Sequence, residues 1–173
     1  MRALRAVLVM ACTLAACAAP AADDAADGEQ PPVELTAPEF ESAAAHIVTG
    51  ADTILLRVEL ARTVDQQAFG LMDRDSLPQD AGMIFLYEQQ QAGQSAFYMY
   101  RTRIPLDIAF FDGAGRISAI LQMVPCTSAV PDACPRYAPN APYFGALEVN
   151  RGFMQQHGVA VGDRIVLPGR IGG

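Results

Sequence analysis

Apolar and polar side chains alternate along this chain in short runs separated by Gly, Pro, Asn and Asp, the pattern of half-buried strands joined by turns. Residues 46–49 and 53–60 read as two strands around a Gly50-Ala51-Asp52 turn, with Leu56, Val58 and Leu60 on one face and Leu55, Arg57 and Glu59 on the other. Thr63 with Gln66 three positions on forms a capping-box pattern and opens a short helix that Gly70 weakens. Residues 82–87 form a buried strand after the turn-rich Asp73, Asp75, Ser76 and Pro78. Asp112-Gly113-Ala114-Gly115 is a hairpin turn whose return strand, 116–124, places Ile117, Ala119, Leu121 and Met123 on one face. After a Pro-rich loop, 125–142, come a strand at 143–149, a short helix capped by Asn150 and ending near His157, and a closing strand at 164–167.

The segment 97–111, FYMYRTRIPLDIAFF, combines the strongest strand signal with the most awkward charge. It reads as strand, turn, strand: Phe97, Met99 and Arg101 on one side, Tyr98 and Tyr100 on the other, then Leu106, Ile108 and Phe110 on one face. Asp107 projects from the opposite face beside Ala109 and Phe111, where an ionised carboxylate needs a partner. Arg101, Arg103 and Arg74 are the candidate cations, and a turn-capping role is the other structural reading of Asp107.

Length and charge narrow the picture. The 173 residues allow one core-forming domain with appendages, and a formal net charge of −7 without a Lys/Arg cluster speaks against nucleic acid as a partner. At the N-terminus Arg2 and Arg5 flank a short apolar run, residues 6–16, the layout of a secretory signal peptide. The run ends in Leu14-Ala15-Ala16-Cys17, which resembles the lipobox of bacterial lipoproteins. That resemblance implies cleavage before Cys17 and lipidation of its thiol, the alternative being an ordinary cleaved signal with an incidental cysteine. By the same resemblance Ala18, where Asp would retain a lipoprotein at the inner membrane, implies the periplasmic face of the outer membrane. The expected organisation is a signal peptide at 1–16, a flexible lipid-anchored tether at 17–39 rich in Ala, Asp and Pro, and one β-rich domain at 40–173. Loss of residues 1–16 removes two of twelve basic and none of nineteen acidic residues, leaving −9.

An ordered set of motifs runs through the domain: Glu59-Leu60-Ala61, Gly70-Leu71-Met72 with Arg74, Gly82-Met83-Ile84-Phe85, Ile104-Pro105-Leu106-Asp107-Ile108, Pro125-Cys126, Cys134-Pro135, Leu147-Glu148, and the closing Gly152-Phe153, His157-Gly158 and Val161-Gly162-Asp163. The set resembles the family called domain of unknown function 192. That resemblance implies a compact, mostly antiparallel β sandwich or distorted barrel, jelly-roll-like, with short helices, and implies no activity. Where the family has Phe-Trp-Met-Lys-Asn-Thr this chain has Phe97-Tyr98-Met99-Tyr100-Arg101-Thr102, so a cation with donors only replaces an amide.

Candidate chemistry is sparse. In an exported domain Cys126 and Cys134 are expected to pair as a disulfide that staples the loop; Cu(I) held by these thiols with Met99 or Met123 is the alternative. His46 and His157, the two histidines, lack metal-ligand spacing, and neither a metal nor a cofactor is expected. No nucleophile elbow occurs. Two function classes follow. The preferred one is a non-enzymatic envelope module with a shallow site drawn from Tyr98, Tyr100, Arg101, Asp107, Arg74 and Glu148, for a small polar ligand, a glycan or a partner. The alternative is a cell-envelope hydrolase using Asp107 and Glu148 as a carboxylate pair, with Arg101 as electrostatic stabiliser.

Overall fold

The computed structural model describes residues 36–167. Seven strands, β1 (Glu41–Val48), β2 (Thr53–Ala61), β3 (Ala81–Gln91), β4 (Leu106–Phe111), β5 (Ile117–Met123), β6 (Tyr143–Asn150) and β7 (Arg164–Val166), form one sheet in the order β5-β4-β6-β3-β2-β1-β7. Every pairing is antiparallel except β2 with β3. A parallel pair requires a crossover, and α1 (Val64–Phe69) lies on it. The sheet curls until its outer strands meet: Arg116 bridges Arg164, and the Ile117 and Ile165 amides donate to the Asp163 and Gly115 carbonyls at 2.8 Å. The fold is thus mainly β, a distorted barrel with α1 and a second short helix, α2 (Phe153–Gln156).

The two faces of the sheet carry separate apolar clusters. Inside the curl lie Ile47, Leu56, Val58, Ile84, Phe111, Leu147 and Ile165, drawn from most strands of the barrel. The outer face of β3, β6, β4 and β5 is also buried: Met83, Phe85, Ile108, Phe110 and Ala146 pack under Leu71, Met99 and Ile104 from the connecting loops. The burial of all six β4 side chains follows, since each face of that strand has its own cover.

Several expectations change in the folded chain. Strand β1 begins at Glu41 and takes in Ala43–Ala45 because all eight of its residues pair with β2, a tertiary placement that overrides weak local propensity. Residues 97–101 are loop, not strand: Phe97 forms a single bridge with Tyr137, and Arg101 turns with φ 54°. Ile117 does not share a face with Ala119. A bulge between Phe110 and Phe111 shifts the register, so Ile117 enters the inner cluster while Ala119, Leu121 and Met123 stay outside. Asn150 lies in β6 and donates to the Leu77 carbonyl at 2.8 Å instead of capping α2. Gly145 is required by packing, because a Cβ there would meet the Phe111 ring and approach the Phe85 carbonyl to 2.8 Å.

In the 125–142 loop Cys126 and Cys134 form a disulfide with Cα atoms 5.6 Å apart, so neither thiol remains for a soft metal. Closing a loop of 8 residues is worth about 2.5 kcal/mol on chain-entropy grounds. Urea unfolding of the Cys126→Ser/Cys134→Ser double variant should show a loss of that order. Alkylatable thiols at Cys126 and Cys134 in the unreduced protein would contradict the bond itself.

Candidate functional site

Strand β6 carries an acidic side chain where its alternation calls for an apolar one. Ala146 and Glu148 point to the outer face, Leu147 and Val149 to the inner. Register sets Glu148 opposite Met83 of β3 and Ile108 of β4, so both lateral neighbours are apolar. The side chain is 5 % exposed. Burial alone pushes its carboxyl up to about 8 from the ordinary 4.5, and neither a hydrogen bond nor a cation counteracts it. At neutral pH it is mostly the neutral acid.

Glu148 borders a cavity of about 180 Å³ whose walls include Phe85, Tyr87, Phe97, Tyr98 and Tyr143. The rings of Phe85 and Phe97 meet at 88° with centroids 4.9 Å apart, and those of Tyr87 and Tyr143 at 81° and 5.7 Å. The Tyr143 hydroxyl donates to the Ser95 carbonyl at 3.1 Å. Burial, then the neighbouring Tyr143 and Glu148, raises the Tyr87 hydroxyl well above its ordinary value; burial raises Tyr143 to about 12. Both phenols therefore keep their protons wherever Glu148 titrates.

Two connections roof the cavity. Helix α1 starts at the expected Thr63–Gln66 capping box, and Gln67 Nε2 donates to the Leu86 carbonyl at 2.8 Å, tying the helix to β3. Its exit at Gly70 has φ 50° and passes so near the Phe85 ring that a Cβ would lie 3.2 Å from it. The other connection is pinned by paired bonds between Phe97 and Tyr137, at 3.0 and 2.9 Å, and by Arg136 over the Tyr98 ring at 4.8 Å.

Of the residues singled out from sequence, Tyr98 and Glu148 reach this cavity; Tyr100, Arg101, Asp107 and Arg74 do not line it. Arg101 pairs with Asp73, Arg74 with Glu59, and Arg103 with Asp75 at 2.7 Å and Asp73 at 3.4 Å. None of these arginines pairs with Asp107, so the expected ion pair is replaced by the capping role. Asp107 Oδ2 accepts from the backbone N–H of Gly152 at 2.9 Å and of Met154 at 3.1 Å, holding the turn into α2. Its Oδ1 is buried without a partner.

Register does not bring together the carboxylate pair of the hydrolase reading. Asp107 stands opposite Val149 and Ile108 opposite Glu148, and directly opposed residues share a face, so Asp107 and Glu148 lie on opposite faces of the sheet. Sequence reasoning missed Tyr87, Tyr143 and the wall role of Phe97. Tyr87 lies within β3 and Tyr143 opens β6, and alternation did not distinguish a lining ring from a core ring at either position. No group of three His, Cys, Asp or Glu side chains among the described residues is placed to hold a metal ion.

The fold and this covered acidic site define a small β-barrel domain with a single-residue acidic floor. By family model, residues 46–167 match domain of unknown function 192, described as an uncharacterized ACR, and the chain belongs to that family. A crystal structure from Sinorhizobium meliloti 1021, described as a candidate transcription regulator, is similar at TM-score 0.66 and 30 % identity, covering 75 % of this chain and 96 % of its own. A Novosphingobium aromaticivorans DSM 12444 protein of unknown function is similar at TM-score 0.62 and 29 % identity, covering 76 % and 95 %. No curated protein matches the chain.

Proposed function

We propose that this chain is an exported, lipid-anchored binding module that takes a small polar ligand in the cavity over Glu148, and is not an enzyme. The observation that carries the binding reading is a nearly buried carboxyl without a partner among the described residues, facing a cavity walled by aromatic rings. Folding stability alone would not select such a group, and positions of this kind concentrate at functional sites. Aromatic rings interleaved with polar side chains suit binding of a small molecule. A lone carboxyl offers neither the second acid of a glycosidase nor a nucleophile with its base. The regulator description of the Sinorhizobium neighbour is not carried over, since the acidic balance of −7 lacks the basic footprint of a nucleic-acid binder.

The exported, lipid-anchored part of the proposal rests on Arg2, Arg5, the apolar run at 6–16 and Leu14-Ala15-Ala16-Cys17, with display at the periplasmic face of the outer membrane. The signal peptide, Cys17 and the tether up to residue 35 lie outside the described residues. Both parts can be tested with one variant. Cys17→Ser should abolish incorporation of labelled fatty acid and leave the precursor uncleaved before residue 17; an unlabelled wild-type chain would refute the anchor. On the purified Cys17→Ser protein, a thermal-shift screen of small polar compounds should yield ligands whose effect disappears when Glu148 is replaced by Gln. Hits indifferent to that substitution would remove the cavity from the proposal.

A further inference from the structure

Resting on the binding reading just given, we infer that the cavity over Glu148 takes a small organic ammonium ion, which the Glu148 carboxylate neutralises and the surrounding aromatic rings enclose. Size is the first argument. At about 180 Å³ the cavity falls below the roughly 300–1,000 Å³ of pockets for drug-sized ligands, so it suits a group the size of a lipid or osmolyte headgroup and is too small to enclose an oligosaccharide.

The second argument is the state of the polar lining. A sugar ring needs many free donors and acceptors, and four of the eight polar side chains that line the cavity already donate to backbone carbonyls. Gln67 donates to the Leu86 carbonyl, Gln91 to the Gln89 carbonyl, Thr102 to the Tyr100 carbonyl and Tyr143 to the Ser95 carbonyl. Left without such a bond are the Glu148 carboxyl and the Tyr87, Tyr98 and Ser95 hydroxyls, set among several ring surfaces. Those are the elements of ammonium recognition: a cation is drawn to aromatic faces by their quadrupole and to a carboxylate by its charge, with no need of a hydrogen-bond network.

Charge excludes the opposite ligand class. Among the described residues no Lys, Arg or His lines the cavity, so an anion would enter beside an acid without a counter-ion. Around Glu148 the facing groups are Met83 and Tyr87 from β3, Ile108 from β4, Tyr143 from its own strand, and Leu71, Tyr98 and Thr102 from the connections. The tyrosines are the titratable ones among them. The cation nearest the wall, Arg136 on the Tyr98 ring, is paired with Asp132 at 2.9 Å, and Arg101 is paired with Asp73.

Ionisation couples to occupancy. The neutral acid releases its proton to solvent as the cation enters: Glu148–COOH plus ammonium gives the carboxylate–ammonium pair plus H⁺. Because only the ionised form binds, affinity should rise about tenfold per pH unit up to about pH 8 and level off above it, with close to one proton released per ligand at pH 7.

The test is calorimetric titration of the full chain carrying Cys17→Ser with choline and with tetramethylammonium, between pH 6 and 9 and in two buffers of different ionisation enthalpy. The same titration is run with 3,3-dimethylbutan-1-ol, the neutral isostere of choline, and with glucose. The inference expects binding of an ammonium probe, at least tenfold weaker or undetectable binding of the neutral isostere, the stated pH dependence and proton release, and loss of all of it in a folded Glu148→Gln variant. Binding of glucose or of the neutral isostere at equal or greater strength would overturn the ammonium assignment while leaving a polar-ligand site in place. Failure of both ammonium probes overturns it as well, and failure of the thermal-shift screen in addition would remove the binding reading itself. Ammonium binding retained in Glu148→Gln places the cation elsewhere and overturns the assignment.

Discussion

Glu148→Gln is expected to stabilise this protein at alkaline pH, a reversal of the usual outcome of changing a buried residue. Glutamine has the shape of the neutral acid but has no charge to bury. In wild type the folded state holds the Glu148 proton up to about pH 8, whereas the unfolded chain releases it near the ordinary 4.5. Below about pH 4.5 both states are protonated and the group costs nothing. As pH rises from there to about 8, the unfolded state binds fewer protons than the folded state, so wild-type stability falls, by at most about 1.4 kcal/mol per unit. The accumulated loss above pH 8 is up to about 5 kcal/mol, less whatever water in the cavity returns to the carboxylate. Urea unfolding of wild type and Glu148→Gln near pH 5 and near pH 9 should give similar stabilities at the lower pH and a variant more stable by several kcal/mol at the higher. Parallel profiles would mean that Glu148 is not a buried neutral acid, and the site reading would lose its main support.

Asp107 makes the opposite forecast. Its Oδ2 is the acceptor for two backbone donors, Gly152 N–H and Met154 N–H, where the chain leaves β6 for α2. Gly152 has φ 88° and no side-chain cap of its own, so the carboxylate from β4 does the work that a local Ser or Asp does in most helices. Hydrogen bonds to a charged acceptor contribute about 1.5–3 kcal/mol each, and removing the acceptor leaves two donors unsatisfied beside a small void. Asp107→Ala should therefore cost roughly 3–5 kcal/mol in urea unfolding. Asp107→Asn keeps one oxygen for the same donors but sets its NH₂ where Oδ1 is already sealed without a partner, and should cost about 1–3 kcal/mol. Neither change should alter ligand affinity at the Glu148 cavity, which lies across the sheet. An Asp107→Ala variant as stable as wild type would show that the turn into α2 does not depend on this residue.

These two carboxyls also separate what is local in this protein from what is not. Sequence alone determined most of the elements: the alternation of β2, the capping box of α1, the turn at residues 112–115, the staple between Cys126 and Cys134, and the family to which residues 46–167 belong. Each is written in neighbouring side chains or in an ordered set of motifs. Sequence also placed Asp107 inside an apolar strand and named Glu148 as a candidate acid. It did not show that they face opposite ways, because that depends on the pairing of Asp107 with Val149 and of Ile108 with Glu148, and a slip of one residue would have put both acids on one face. The bulge that sends Ile117 inward, the loop conformation of residues 97–101 and the meeting of Tyr87, Phe97 and Tyr143 beside Glu148 are likewise tertiary decisions. They arise from how a curled sheet and its covering loops share limited space, and residues far apart in the chain enter that competition together.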